Sequence, residues 1–247
     1  MELRTQQQDW DELAELDPYW AVLTSPEHRF GRWEPDEFFE TGASEIESVL
    51  RKAERFRRPL NLGSALDFGC GLGRLTRALA AEFDTCIGVD ISPLMVAAAE
   101  KLNAESRNCE FVVNNEDSLR LFASQRFDMI YGSIVLQHVP DKDVIRTYVA
   151  EFCRILSPGG LLVFQLPSDI PLIYRFQVRR RLYLLLRAAR VPPSFMYRRL
   201  RLIPIAMSSL PEAEVTSLLR SNGVQVLEVE TKLAEAGIKS STYFATK

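Results

Sequence analysis

The stretch Ala65-Leu-Asp-Phe-Gly-Cys-Gly-Leu-Gly73 decides the fold of this chain. A short apolar run, residues 64–68, stops at glycines, and residues 73–82 then place apolar side chains at the i, i+3, i+4 spacing of an amphipathic helix. The stretch therefore predicts a buried strand that turns through a glycine-rich loop into a helix. Glycine there lets the backbone turn tightly and lets a ligand approach the main-chain N–H groups.

The residues that follow repeat this alternation of strand and helix. Further strands are predicted at 85–90, 109–113, 127–132 and 161–166. A helix begins at Ser92-Pro93, a serine N-cap before a proline, and another is capped by Asp141. Such a β-α-β order predicts an α/β fold, a doubly wound and mostly parallel sheet of seven strands with helices on both faces.

The carboxyl-terminal part of the chain breaks the alternation. A helix at about 211–221 is followed by apolar runs at 224–230 and 241–246, with no helix between these runs. Two strands this close should pair antiparallel, so we expect an antiparallel edge to the sheet. The predicted main domain comprises residues 61–167 and 204–247.

Two segments lie outside this domain. Residues 1–60 are predicted to form an N-terminal helical cap, because their first 50 residues carry seven aromatic side chains among acids. Residues 168–203 contain nine arginines and one acid, interleaved with tyrosine, leucine and phenylalanine. They predict an inserted helical segment, basic on one side and apolar on the other. It could be a solvated face held against the acidic cap, a site for an anionic acceptor, or an element at a membrane interface.

The overall composition narrows the function classes. A length of 247 residues and a net charge of −3 suit one large domain and do not favour a nucleic-acid partner. Four cysteines without CxxC spacing and two distant histidines predict no metal site. With a polar, acidic N-terminus and no apolar run of about 18 residues, the sequence predicts a reduced, cytoplasmic protein without a transmembrane segment.

Two acids near the glycines indicate the ligand. Asp67 lies two residues before the first glycine, where it can accept hydrogen bonds from an ammonium group or from water. Asp90 ends the second strand, where a carboxylate can bind both hydroxyls of a ribose. A dinucleotide fingerprint, G-x-G-x-x-G, would need glycine at position 74, where this chain has Arg74. The spacing therefore counts against NAD.

The core resembles the class I S-adenosylmethionine-dependent methyltransferases. The resemblance covers residues 62–167 and rests on ALDFGCGLGRLTRAL, GVDISPLMVAAA, FDMIYGSIVLQHV and FCRILSPGGLLVFQLP. It implies a Rossmann-like sheet, S-adenosylmethionine as cofactor and S-adenosylhomocysteine (SAH) as product.

The resemblance also implies roles for individual residues. The glycine loop would hold the methionine portion of the cofactor, through Asp67, Gly69, Cys70, Gly71 and Gly73. Asp90 would bind the ribose, Ile91 would pack on the adenine, and Ser133 would lie beside the transferred methyl. Contact with the adenine amino group is left open among Asn115, Glu116 and Asp117.

The predicted activity is methyl transfer to a small-molecule acceptor, anionic or lipid-linked, at oxygen. An oxygen acceptor with a high pKa needs a general base, and His138 in the loop after the fourth strand is the candidate. Alternatively, His138 could be a structural hydrogen-bonding residue or part of the wall of the acceptor pocket. Two other function classes stay open: an oxidoreductase using NAD or a nucleotide sugar, and a catalytically silent module that binds the cofactor and a protein partner.

Overall fold

The fold is described from a computed structural model, over residues 2–56, 60–234 and 237–247. The helices are α1 (Glu2–Leu16), α2 (Pro18–Val22), α3 (Pro35–Glu54), α4 (Arg74–Ala80), α5 (Pro93–Leu102), α6 (Lys142–Ile155), α7 (Leu172–Arg175), α8 (Val178–Ala188), α9 (Pro193–Arg199) and α10 (Glu212–Ser221). The strands are β1 (Ser64–Phe68), β2 (Thr85–Asp90), β3 (Cys109–Val113), β4 (Phe127–Gly132), β5 (Leu156–Asp169), β6 (Gln225–Leu233) and β7 (Lys239–Thr246). A single 3₁₀ turn, Leu136–His138, follows β4.

Across the described residues, the strands form one seven-stranded sheet in the order β3-β2-β1-β4-β5-β7-β6. The first five strands are parallel, and β7 is antiparallel to both β5 and β6. The predicted fold class is therefore confirmed. Strand order reverses between β1 and β4, and in doubly wound sheets the carboxyl edge at this switch point is where ligands bind.

Strand β5 is longer than its predicted run. It begins at Leu156 and includes Ser157-Pro158-Gly159-Gly160, which precede the predicted strand at 161–166. The register of β4 against β5 shifts between Phe127 and Met129, so the extra residues fit as a bulge. The N–H of Gly159 donates to the carbonyl of Lys247 at 2.7 Å, which holds this start of the strand against the chain end.

Alternating residues of the parallel strands are buried on opposite faces of the sheet. Leu66, Ile130 and Leu162 share one apolar cluster with side chains of α6 and α10. Ala65, Met129 and Val163 share the other cluster with side chains of α3 and α4. Because helices cover both faces, the strands are continuously apolar. Helix α3 from the amino-terminal segment thus belongs to the layer that covers the sheet.

The remaining amino-terminal aromatics form a third cluster over the glycine loop and α5, with Trp20, Trp33 and Phe38 at its centre. Asp17 is buried in this cluster and accepts hydrogen bonds from the N–H groups of Phe30 and Gly31 at 2.6 and 3.0 Å. The Tyr197 hydroxyl of α9 donates to the same carboxylate at 2.7 Å. One buried acid therefore joins the amino-terminal segment to the inserted one.

Helix α8 places two of its arginines against the amino-terminal cap, which is one of the arrangements that the sequence left open. Arg180 and Arg187 face inward, and their guanidinium groups contact Asp9 of α1 at 3.3 and 2.7 Å. Tyr183 lies on the same inner face and is fully buried, whereas Leu182 and Leu185 are exposed. The inward arginines neutralise a carboxylate that the fold buries. Among the described residues, no helix is both long and apolar enough to cross a membrane.

We expect Asp9→Asn to loosen the attachment of α8. The change leaves two partly buried arginines without a charged partner, so the free energy of unfolding should fall by about 2 kcal/mol. Chemical denaturation measures that loss, and faster trypsin cleavage within residues 179–201 would place it in α8. Asp169→Asn is the matched control: its bridge to Arg175 is half exposed, and its loss should cost less than about 0.5 kcal/mol. Equal losses of unfolding free energy in Asp9→Asn and Asp169→Asn would contradict the role of Asp9 in holding α8.

Candidate active site

A cavity of about 730 Å³ opens at the carboxyl edge of the sheet, beside the β1–β4 switch point. Its walls come from the glycine loop, the end of β2, the loop after β4, the amino-terminal helices and residues 173–180 and 203–207. The size lies in the upper range of small-molecule pockets, so the cavity has room for a nucleoside-sized ligand and a second molecule.

The glycine loop has a backbone that side chains would disturb. Gly69 and Gly71 have φ angles of +77° and +52°, in the left-handed region. A Cβ on Gly69 would lie 2.3 Å from the Val135 side chain, and one on Gly71 would lie 2.4 Å from that of Val22. The N–H of Gly69 also donates to the carbonyl of Val89 at 2.7 Å, which fastens the loop to β2. Both positions require glycine for conformation and for space.

Gly73 serves packing in the interior. Its φ is +80°, and a Cβ there would meet the side chains of Asn103 at 2.6 Å and Phe111 at 2.8 Å. These neighbours belong to the layer between α4, α5 and β3, and Gly73 does not line the cavity. The structure therefore differs from the predicted cofactor contact at this position: the third glycine lets the start of α4 approach its neighbours closely.

Asp90 joins the two loops that frame the cavity. Its Oδ2 accepts the N–H of Gly71 and its Oδ1 accepts the N–H of Ser92, both at 2.9 Å. Burial raises the pKa of Asp90, and these N–H groups oppose the rise. Each oxygen retains a lone pair, and the side chain lines the cavity. A vicinal diol could therefore donate one hydrogen bond to each oxygen.

Ser92 links this carboxylate to the amino-terminal helix. Its hydroxyl caps α5 by accepting the N–H of Met95 at 3.1 Å and donates to Asp11 of α1 at 2.5 Å. The predicted N-cap is thus confirmed. Because Ser92 also contacts Asp90, α1 is fastened directly to the ligand-binding edge.

Asp67 lies beneath the glycine loop. Its Oδ2 accepts the Thr76 hydroxyl at 2.6 Å, which ties β1 to α4, and burial raises the pKa of Asp67 to about 7. Its Oδ1 has no hydrogen-bond partner among the described residues. The residue does not line the cavity. This placement differs from the predicted direct contact with the cofactor, because the strand aims the side chain into the protein below the loop.

The loop after β3 also differs from the prediction. Asn115, Glu116 and Asp117 are exposed and lie outside the cavity wall. Asn114 lines the cavity instead, and its side-chain amide donates to the carbonyl of Ser118 at 3.1 Å. Asn114 is the residue of this loop that lies on the cavity wall, one position before the predicted group.

Besides Gly69, Gly71 and Asp90, three further predicted cofactor-binding residues lie on the cavity wall: Cys70, Ile91 and Ser133. Burial raises the pKa of the Cys70 thiol, so it remains protonated at neutral pH. The same wall contains Arg74, which occupies the place of the third fingerprint glycine. Its guanidinium is bound by Glu45 at 2.8 Å, and Glu45 also accepts the Tyr131 hydroxyl at 2.8 Å.

His138 lines the cavity in a fixed orientation. Its Nδ1 lies 3.0 Å from the carbonyl of Ala206 and its Nε2 lies 3.1 Å from the amide nitrogen of Gln137. Burial lowers the pKa of His138 to about 4, so the ring is neutral at pH 7, Nδ1–H donates and Nε2 accepts. Gln137 is itself held by Gln165 at 3.2 Å, and the Trp10 ring packs edge-on against the imidazole at 5.7 Å.

The sequence left open whether the two added segments contact the ligand. Gln6, Trp10, Trp20 and Val22 line the cavity from the cap, and Ile173, Arg179 and Ile205 line it from the insertion and the segment after it. Only the aromatic residues gave a signal, as an excess of apolar rings among acids. Val22 and Ile205 are ordinary apolar residues whose role depends on tertiary packing.

Comparisons with known proteins agree with the fold. A family model described as a methyltransferase domain matches residues 65–160. A 2-methyl-6-phytyl-1,4-hydroquinone methyltransferase from Synechocystis sp. is 34% identical over 101 residues, or 40% of this chain and 30% of that protein. A ubiquinone biosynthesis O-methyltransferase from Pseudomonas fluorescens is 32% identical over 115 residues, or 46% of this chain and 48% of that protein. The chain thus spans about half or less of the length of these curated relatives.

The crystal structure of magnesium protoporphyrin IX methyltransferase from Synechocystis PCC 6803 with bound SAH has the same fold. It superposes with a TM-score of 0.65 at 16% identity, over 100% of both chains. These comparisons confirm the predicted family resemblance and the sheet topology.

We expect Gly71→Ala to destabilise the loop through a clash as well as through its φ angle. The positive φ alone should cost about 1–2 kcal/mol of unfolding free energy, and the contact with Val22 adds to that cost. Gly159→Ala is the matched control, because Gly159 has φ +79° with no atom within 4 Å of its Cβ position. Thermal unfolding should rank Gly71→Ala below Gly159→Ala, and adding Val22→Ala should recover part of the difference. Equal stability of the two glycine variants would refute the close approach.

Proposed function

We propose that this chain, whose residues 65–160 belong to the methyltransferase-domain family, binds S-adenosylmethionine and transfers its methyl group to oxygen of a small-molecule acceptor. The observation that carries the proposal is the Asp90 carboxylate, held by Gly71 and Ser92 with one free lone pair on each oxygen. It faces a cavity of about 730 Å³ next to a loop whose glycines cannot carry side chains.

The residues on the cavity wall fit this cofactor. Asp90 would bind the ribose hydroxyls, Ile91 would pack on the adenine, and the Gly69–Gly71 backbone would hold the methionine portion. Ser133 would lie beside the methyl group. Asn114 is better placed for an adenine contact than Asn115, Glu116 or Asp117, because its side chain is already on the wall.

The cofactor, once bound, supplies an electrophilic sulfonium methyl, so the chain has to orient the acceptor and exclude water. Positioning of this kind can lower a barrier by about 7–11 kcal/mol. Trp10 and Trp20 narrow the cavity from the cap side, and Ile205 narrows it from the opposite segment. These apolar walls would keep water from the reacting centre.

We assign His138 the task of accepting a hydrogen bond, and then the proton, from the acceptor hydroxyl. Nε2 is its basic atom, because Nδ1–H is held by Ala206. The Gln137 amide donates to Nε2 and would turn toward the acceptor or toward Gln165 when the hydroxyl takes its place. With a pKa of about 4, His138 is a weak base that is fully available at neutral pH. The name of the ubiquinone biosynthesis relative, an O-methyltransferase, supports an oxygen acceptor.

The acceptor would enter beside residues 173–180. Ile173 and Val178 give this side of the cavity an apolar wall, and Arg179 adds a guanidinium. The combination suits an acceptor with an apolar body and an anionic group, either free or linked to a lipid. The cysteines, unpaired in the described structure, suit a reducing compartment, and we propose the cytoplasm.

Calorimetric titration of the purified chain with SAH, with NAD in parallel, tests the proposal. We expect one-to-one binding of SAH and no binding of NAD. Asp90→Asn should weaken SAH binding by about 100-fold, because it removes two charge-assisted hydrogen bonds worth about 1.5 kcal/mol each. Asp117→Asn is the control, an exposed acid outside the cavity, and should change the affinity less than about twofold.

Other outcomes of this titration would revise specific assignments. Binding of NAD without binding of SAH would indicate that the glycine loop holds a redox cofactor and that the chain is an oxidoreductase. If Asp90→Asn leaves the SAH affinity unchanged, Asp90 does not bind the ribose. If Asp117→Asn greatly weakens SAH binding, the adenine contact belongs to Asp117 of the exposed loop.

We expect His138→Gln to lower kcat by about 100-fold while SAH affinity stays within about twofold. The acceptor is first identified by following SAH formation over a panel of phenols and carboxylic acids. Since the pKa of His138 is about 4, wild-type kcat/KM should show no inflection from this residue between pH 5 and 8 and should fall only as pH drops toward that value. His28→Gln is the control, because His28 stacks on Trp33 in the cap and does not line the cavity. Wild-type turnover in His138→Gln would show that His138 lines the pocket without accepting a proton.

A further inference from the structure

The outer face of the inserted segment is apolar. Val178, Leu182 and Leu185 follow one another at i, i+4, i+7 along α8, and between 46% and 69% of each side chain is exposed. Leu172, Ile173 and Phe176, in and just after α7, are exposed by 59% to 67%. We call these six residues the apolar patch. A helix in a soluble domain ordinarily buries such a stripe, so the opposite orientation of α8 needs a reason.

The orientation of α8 is fixed from inside. Arg180 and Arg187 bind the buried carboxylate of Asp9, and Tyr183 packs with Met196 and Leu202 beneath the helix. Turning the leucines inward would expose Tyr183 and leave Asp9 buried without its partners, at a cost typical of a broken buried ion pair. The exposed stripe is therefore built into the fold.

Exposed cations accompany the apolar patch. Arg179 and Arg181 are exposed beside it on α8, Arg198 and Arg199 are exposed at the end of α9, and no acidic residue occurs between positions 170 and 203. Apolar side chains accompanied by exposed arginines match the interface of an anionic bilayer, where the side chains enter the acyl boundary and the guanidinium groups contact phosphates.

The cavity opens within this patch. Ile173 and Val178 belong both to the apolar patch and to the cavity wall, and Arg179 lies at the same opening. A surface that covered the patch would therefore cover the cavity mouth as well. This continuity points to an occupant that can deliver a molecule into the cavity.

We propose that the apolar patch and its accompanying arginines dock on the surface of an anionic phospholipid bilayer. A second copy of the chain is a poorer occupant, because a two-fold contact across this face would oppose arginines to arginines without an acid. Docking places the cavity mouth against the lipid, so a lipid-linked acceptor reaches the site without crossing water. That consequence rests on the proposed function, whereas the docking itself does not.

Vesicle flotation with the full chain tests the docking. Phosphatidylcholine vesicles containing about one third phosphatidylglycerol should bind the protein, and phosphatidylcholine alone should not. Raising the salt concentration to about 0.5 M should weaken binding, because the guanidinium contacts are screened. Arg198→Gln/Arg199→Gln should weaken it by about tenfold or more at low salt. Equal binding to both vesicle types, or none to either, overturns the proposal.

A matched pair of leucine variants isolates the apolar contribution. Leu182→Asp/Leu185→Asp should lower vesicle binding by at least about tenfold. Leu62→Asp/Leu121→Asp alters two leucines exposed by 42% and 46% that precede β1 and β4, away from the patch, and should bind as the wild type does. Both pairs should keep the wild-type thermal unfolding, since all four side chains are exposed. Undiminished flotation of Leu182→Asp/Leu185→Asp overturns the proposal.

Two further measurements separate the remaining outcomes. Light scattering of the wild type should give a monomer, and a dimer that Leu182→Asp/Leu185→Asp dissolves would assign the patch to a second copy and overturn the proposal. SAH titration is run on the same samples. If flotation follows the predicted pattern but SAH does not bind, the docking stands and the proposed function fails. If SAH binds but the protein does not float with the vesicles, the docking proposal fails and the proposed function stands.

Discussion

The Asp90 carboxylate is the interaction on which the cavity depends. It accepts one N–H from the glycine loop and one from the start of α5, so a single side chain sets the spacing of two loops that belong to different β-α units. Through Ser92 the same point reaches Asp11, and α1 is held against the edge of the sheet. Burial disfavours the charge that makes this possible and raises the pKa of Asp90. Burying this carboxylate costs free energy, and the hydroxyls of a ligand diol can donate two further hydrogen bonds to it.

The parts that could be predicted from the sequence are those with a local cause. Glycines at 69 and 71 mark a loop whose φ angles are positive, the serine and proline at 92 and 93 mark the start of a helix, and two runs near the end mark an antiparallel pair. Each feature depends on a few neighbouring residues and on rules of backbone geometry, so it can be predicted without knowledge of the tertiary structure. The alternation of strands and helices, with right-handed crossovers, then predicts a parallel sheet covered by helices on both faces.

The parts that could not be predicted depend on residues distant in the chain. The nine arginines of the insertion leave open which side of the helix faces the protein. Asp9, about 170 positions earlier, binds two of them on the inner face of α8, and leucines lie exposed on the outer face. Gly73 resembles its two partners in the motif, yet Asn103 and Phe111 determine that it serves packing. In the loop after β3, Asn114 lies on the cavity wall and Asn115 does not, and no pattern of the sequence shows which of the two side chains faces inward.

Helix α1 lines the cavity with two residues and holds two of the elements that frame it. Gln6, Asp9 and Trp10 lie within one helical turn, and Asp11 follows directly. Gln6 and Trp10 contact His138, Asp9 binds the arginines of α8, and Asp11 binds Ser92 beside the glycine loop. The cofactor edge, the candidate base and the apolar patch are thus bound to the same rigid element. Because Asp9 holds the arginines of α8 while Gln6 and Trp10 contact His138, α1 connects the inserted segment to the His138 side of the cavity.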